Sequence, residues 1–120
     1  MATRPQELTE AFKLLVDQHL ADLTNRRATE MLEIEQFSDL LHVHPVHLSN
    51  TIKDVTRLSP CGIYQKKITQ VAQQLLANPS CTIRDIALLL DFEPSQFTKW
   101  FRRFNGVSPK EYRKNHLLKS

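Results

Sequence analysis

A 49-residue internal repeat constrains this chain more than any other feature of its sequence. Sliding the chain by 49 residues aligns 34–60 with 83–109 without a gap. Six positions are identical: Ile34/Ile83, Leu40/Leu89, Leu41/Leu90, Pro45/Pro94, Ser59/Ser108 and Pro60/Pro109. Others keep their character: Phe37/Ile86, Ser38/Ala87, Val43/Phe92, Leu48/Phe97, Ile52/Phe101, Lys53/Arg102 and Val55/Phe104. Two copies do not make a solenoid, so the pattern predicts one duplicated unit.

Each copy reads as a short helix, a tight turn and a second helix. Pro45 and Pro94 fit the first turn of the second helix, where a missing N–H costs nothing. Small Ser38 and Ala87 sit where two helices must approach closely. Leu48/Ile52 and Phe97/Phe101 lie at i, i+4 and bury one face of each second helix. The turn position that such units often fill with glycine holds His42 and Asp91, two residue types that tolerate left-handed backbone. Ser59-Pro60 and Ser108-Pro109 share one N-cap grammar. Between the copies, Cys61 to Ala77 reads as a long helix with an apolar stripe of Tyr64, Ile68, Val71, Ala72, Leu75 and Leu76, stopped by Asn78-Pro79-Ser80. Upstream, Leu8, Ala11, Phe12, Leu15 and Leu23 mark another helix from Gln6 to Leu23. The fold class is all-α: 1–33 is an N-terminal helix and connection, 34–58 the first helix-turn-helix, 59–79 the linker helix, and 80–120 the second helix-turn-helix with a C-terminal helix.

Composition agrees. Two glycines in 120 residues are too few for a sandwich, a barrel or a nucleotide-binding loop. Cys61 and Cys81 make neither a disulfide framework nor a zinc site by spacing and read as reduced thiols. No apolar run approaches the ~20 residues of a membrane span, and the opening MATRPQELTE is too polar for a signal peptide. The expectation is a soluble cytoplasmic, nucleoid-associated protein with no cofactor. Charge is unevenly spread: residues 1–52 hold four Lys/Arg against eight Asp/Glu, a net of −4, and 53–120 hold twelve against five, a net of +7. A basic half suits a polyanion such as nucleic acid, although a solvated basic surface has the same composition.

With Leu48 and Ile52 facing inward, Val46, His47, Ser49, Asn50 and Lys53 lie elsewhere on their helix. Ser95, Gln96, Thr98, Lys99 and Arg102 do likewise in the second copy. Side chains near the N-terminus of a helix set in a major groove reach base edges. Asn and Gln pair bidentately with adenine, Lys meets guanine, and Ser or Thr serves several bases. Lys53 and Arg102, further along, suit phosphate, as do Arg57, Lys66, Lys67, Lys110 and Arg113. A linker helix over 60–77 is ~27 Å long, against the ~34 Å between successive major-groove faces. One chain would then act as its own pseudo-dimer on a double-stranded DNA operator.

The stretch 82–114 resembles the signature of the AraC/XylS transcription regulators. It has the Ile-Ala pair (Ile86, Ala87), a Phe after the turn (Phe92), the Phe-x-x-x-Phe recognition helix (Phe97, Phe101), and Gly-x-Ser-Pro-x-x-Tyr-Arg (Gly106, Ser108, Pro109, Tyr112, Arg113). Residues 34–76 are similar, more loosely, to the family's first helix-turn-helix and linker helix. The resemblance implies a domain of about seven helices with two DNA-reading motifs, acting as an activator or repressor. It places base-reading positions at Val46, Ser49 and Asn50, and at Ser95, Gln96 and Lys99. The chain departs from the family at the turn glycines (His42, Asp91), at Arg57 where glycine is expected, and in a second turn one residue shorter than usual, which would rotate the second reading helix. Its connection at 24–33 is longer than usual. Val46 and Ser49 are weak hydrogen-bonding readers, so the second motif is expected to carry more of the base specificity. No room remains for the sensor domain that most members attach, so the chain is either a short free-standing regulator or a fragment of a longer one. The initial Met favours the first mildly.

Other functions fit less well. His42, His44 and His47 form a His-x-His-x-x-His tract, but no acidic or Cys ligand stands at chelating spacing, so no metal site is expected. No phosphate loop, Cys/His pair or nucleophile elbow suggests an enzyme, and Asp85, Asp91 and Glu93 are explained by capping and solvation. Trp100-Phe101-Arg102-Arg103 resembles a homeodomain third helix over a few residues only. The rival from another class is a helix-turn-helix module that docks protein rather than DNA. The acidic first 52 residues would suit a partner such as RNA polymerase.

Overall fold

The computed structural model describes residues 3–119, and among these every regular element is helical. The seven helices are α1 (Arg4–Thr24), α2 (Ile34–Leu40), α3 (Pro45–Thr56), α4 (Pro60–Leu76), α5 (Ile83–Leu89), α6 (Pro94–Asn105) and α7 (Pro109–Lys119). The repeat is kept to the residue: α2 and α5, α3 and α6, and the starts of α4 and α7 are each 49 positions apart. Local chemistry sets these boundaries. Proline opens α3, α4, α6 and α7. Ser59 Oγ accepts from Gly62 N–H at 2.9 Å, and Ser108 Oγ accepts from Glu111 N–H at 3.1 Å. α1 starts two residues earlier than its apolar pattern suggests, because Thr3 and Gln6 form a reciprocal capping box.

Two apolar cores lie along α4. The first joins Phe12, Val16, Leu20 and Leu23 of α1 to Phe37, Leu48, Ile52, Ile63, Tyr64 and Ile68. Phe37 is its hub, edge-on to Phe12 at 5.8 Å and to Tyr64 at 5.2 Å. The N-terminal helix is therefore part of the first subdomain. Its buried stripe runs through Val16 and Leu20, which the Leu8–Leu15 pattern did not single out, because α1 lies against both α3 and α4. The second core comprises Ala72, Leu76, Ile86, Ala87, Leu90, Phe97 and Phe101. One end of α4 thus serves the first core and the other end the second. Trp100 packs against both and donates Nε1–H to Gln65 Oε1 of α4 at 2.6 Å.

The connection between α1 and α2 is ordered by bonds to distant groups. Leu32 N–H donates to His19 Nε2 at 3.0 Å, and Tyr64 Oη donates to the Leu32 carbonyl at 2.8 Å. Burial lowers the His19 pKa, against a smaller opposing pull from Asp22, and this favours the neutral ring that the Leu32 bond needs. Burial, reinforced by Glu33 and Asp91, pushes the Tyr64 phenol well above its usual range.

Candidate nucleic-acid interface

Both turns are built alike. Val43 N–H donates to the Ser38 carbonyl at 3.0 Å, and Phe92 N–H donates to the Ala87 carbonyl at 2.8 Å. Ser38 and Ala87 are fully buried, as this close approach demands. His42 (φ 58°) and Asp91 (φ 63°) take the left-handed conformation expected of the turn position. Arg57 (φ 69°) does the same at the end of α3, where its counterpart is Gly106 (φ 77°). The second turn has the same length as the first, and α6 buries the residues that correspond to those buried by α3.

Rotation of each second helix is fixed by burial. Leu48, Ile52, Phe97 and Phe101 are all 0% exposed. At roughly 1.5–3 kcal/mol per buried side chain, turning either helix to expose its pair would cost several kcal/mol. At 3.6 residues per turn, the face opposite Leu48 and Ile52 holds Val46, His47, Asn50 and Lys53, all exposed. The corresponding face of α6 holds Ser95, Gln96, Lys99 and Arg102, also exposed. Ser49 and Thr98 stand at the edges of these faces. Ser49 is half-buried, and the Thr98 hydroxyl donates back to the Pro94 carbonyl at 3.2 Å.

Two residues on these faces escaped the sequence reading. Asp54 and Arg103, which correspond under the repeat, lie beside Lys53 and Arg102 and are exposed. Counting helical turns outward from Ile52 and Phe101 would have found both. With them included, the α6 face carries Lys99, Arg102 and Arg103 with no carboxylate, whereas Lys53 and Asp54 offset each other on α3. None of these five charges enters a salt bridge among the described residues. The Arg103 guanidinium lies 5.7 Å from the centre of the Phe104 ring.

Among the remaining expected phosphate contacts, Arg57, Lys66 and Lys110 are exposed. Two others have partners inside the chain. Lys67 Nζ meets Asp17 Oδ1 at 2.7 Å, tying α4 to α1. Arg113 donates Nε–H to the Leu76 carbonyl at 3.0 Å and Nη2–H to the carbonyls of Asn78 (3.2 Å) and Cys81. It closes the C-terminal end of α4, where main-chain acceptors lack helical partners. These bonds give Arg113 a structural role beside the phosphate contact expected of it.

His44 is likewise a cap, its Nδ1 accepting from Val46 N–H at 3.1 Å. Among the described residues no group of three or more His, Cys, Asp or Glu side chains gathers in ligating geometry. No helix there is long and apolar enough to cross a membrane. The described chain measures 44 × 27 × 25 Å, long enough along one axis to reach across two successive major-groove faces ~34 Å apart.

The family described as a helix-turn-helix domain matches residues 37–115. The chain is 29% identical over 85 residues to YobQ, an uncharacterized HTH-type transcriptional regulator of Bacillus subtilis (strain 168), covering 70% of this chain and 35% of that protein. It is 30% identical over 86 residues to YisR, another uncharacterized HTH-type transcriptional regulator of that strain, covering 71% of this chain and 30% of that protein. It therefore spans about a third of the length of these curated relatives. Among solved structures, the C-terminal domain of AraT, a response regulator from Geobacillus stearothermophilus, matches with a TM-score of 0.79 at 24% identity, over 94% of this chain and 88% of that one. A DNA-binding transcriptional dual regulator from Escherichia coli K-12 matches with a TM-score of 0.75 at 16% identity, over 92% and 93%. These two share the all-helical fold, and the family match covers both turns and both second helices. The chain belongs to the AraC-type helix-turn-helix family of transcription regulators.

Proposed function

We propose that this chain binds double-stranded DNA as a monomer, sets α3 and α6 into successive major-groove faces, and regulates transcription from that site. The observation that carries the reading is the repetition of one outward-facing helix geometry, to the residue, on a body 44 Å long. In this reading Asn50 and Gln96 pair with adenine and Lys99 with guanine, while Val46 meets a thymine methyl. His47, Ser49, Ser95 and Thr98 complete the two reading surfaces. Lys53, Arg57, Lys66, Arg102, Arg103 and Lys110 hold phosphates. Arg57 supports this role, since it keeps a cation in a left-handed position that its counterpart leaves to Gly106.

Charge divides the work between the heads. The uncompensated cations of α6 supply most of the attraction to the backbone, and Gln96 and Lys99 on the same helix carry more of the base specificity than Val46 and Ser49 of α3. The function is binding rather than catalysis, carried out in the cytoplasm at the nucleoid. The exposed carboxylates of α1 and α2, among them Glu7, Glu10, Glu35 and Asp39, are the surface offered to a protein partner such as RNA polymerase.

The test is a binding-site selection from a random duplex pool, followed by titration of the recovered duplex at two salt concentrations. A bipartite site with halves about one helical turn apart, bound more weakly at higher salt, is the expected result. A single half-site would reduce one head to a positioning clamp. Failure to enrich any duplex would favour the protein-docking module instead.

A further inference from the structure

Three ties hold the two reading heads in one arrangement. α4 runs through both cores, and Trp100, with Phe92 beside it, packs against both and bonds to that helix through Gln65. The third tie is the connection between α1 and α2. The Met31 side chain packs against both cores, and Met31 N–H donates to Asp91 Oδ2 at 2.8 Å, across 60 residues of sequence. The neighbouring Leu32 is fastened to the first subdomain through His19 and Tyr64. A cleft of about 230 Å³ lies along this junction, bordered by Met31, Tyr64, Asp91, Phe92 and Trp100.

Asp91 is also the left-handed residue of the second turn, a position where glycine avoids backbone strain. Glycine would serve the turn, but it has no carboxylate to reach the other subdomain. The connection between α1 and α2, which the helix-turn-helix motifs do not need, is what carries Met31 to that carboxylate.

Resting on the reading that α3 and α6 bind DNA, we propose that Met31 and Asp91 form a strap that fixes the distance and rotational phase between the two heads. Asp91 is then a positioning residue that selects the half-site spacing. One inserted base pair moves the second half-site by about 3.4 Å along the duplex and by about a tenth of a turn around it. Heads locked by packing and by the strap do not follow that displacement. Heads joined only by α4 and the Trp100–Phe92 pair follow it at lower cost.

The experiment uses the duplex recovered by selection, with its halves at the selected spacing and with one base pair inserted or removed between them. The parent is expected to lose about tenfold or more in affinity on either change. Asp91→Gly keeps the turn and deletes the acceptor. It should bind the selected spacing within about threefold of the parent and lose less than about threefold on insertion or removal, a pattern opposite to that of a weakened base contact. Asp91→Asn retains an acceptor oxygen and tolerance of left-handed backbone, so it should restore the parent's spacing profile. A parent that selects a bipartite duplex while Asp91→Gly discriminates spacing as the parent does overturns the strap alone. A parent that selects no duplex overturns the DNA reading and the strap with it.

Discussion

Replacing Arg113 with alanine separates a structural role from a DNA contact at one residue. Its guanidinium donates to the carbonyls of Leu76, Asn78 and Cys81. The bonds to Leu76 and Cys81 are part-buried and the bond to Asn78 is exposed, so water replaces the last at little cost. Hydrogen bonds to a charged group contribute about 1.5–3 kcal/mol each, giving roughly 3–6 kcal/mol for the part-buried pair. Releasing the ordered arginine side chain returns about 2 kcal/mol. The expected loss is therefore about 1–4 kcal/mol, or a drop in Tm on the order of 10 °C for a domain of this size. Urea unfolding followed by Trp100, the single tryptophan, measures it directly, because that ring touches both cores. Arg113→Lys should recover only part of the loss, since an ammonium lacks the planar fork that serves several carbonyls. The DNA titration gives the second readout: the salt slope of Arg113→Ala should equal that of the parent. An unchanged urea midpoint together with a salt slope flatter by about one unit would refute the capping role and leave Arg113 as a phosphate contact.

Other substitutions test the reading faces and the first core. Lys99→Ala should relax preference at one base position by about 1–3 kcal/mol, seen as a flattened selection profile there. Asp54→Asn should raise affinity for all duplexes, while Arg103→Gln should lower it and flatten the salt slope by about one unit; equal effects on cognate and random duplexes identify both as electrostatic. His19→Gln tests a pH dependence. The folded-state pKa of His19 lies below its ordinary 6.5, so its stabilising contribution is complete above that value and is lost as pH falls. The urea midpoint of the parent should fall toward that of His19→Gln between pH 7.5 and about 5.5. A constant gap over that range would remove His19 from the acid sensitivity.

The positions of the second helices were legible because their signals are local. Pro45 and Pro94, the caps at Ser59 and Ser108, and the i, i+4 apolar pairs act within a turn or two of chain, and the repeat presented each signal twice. The match of Val55 to Phe104 was less informative, because both are exposed. Apolar character alone does not say which side of a helix faces a core. Asp54 and Arg103 were missed for a related reason: the faces were read from residue type near the helix start rather than from full turns.

From the sequence alone came the all-α class, the duplicated helix-turn-helix, the left-handed turns at His42 and Asp91, and the polar faces that carry Asn50 and Lys99. Those follow from backbone preferences and helical periodicity, which act between neighbours. Only the tertiary structure decided that Arg113 caps α4, that Lys67 belongs to Asp17, that Trp100 joins two cores, and that Met31 reaches Asp91. Each of these bonds links residues 32 to 60 positions apart. A cation or a carboxylate reads the same in sequence whether it faces solvent, DNA or a carbonyl brought near by folding, and packing alone settles which neighbour it has.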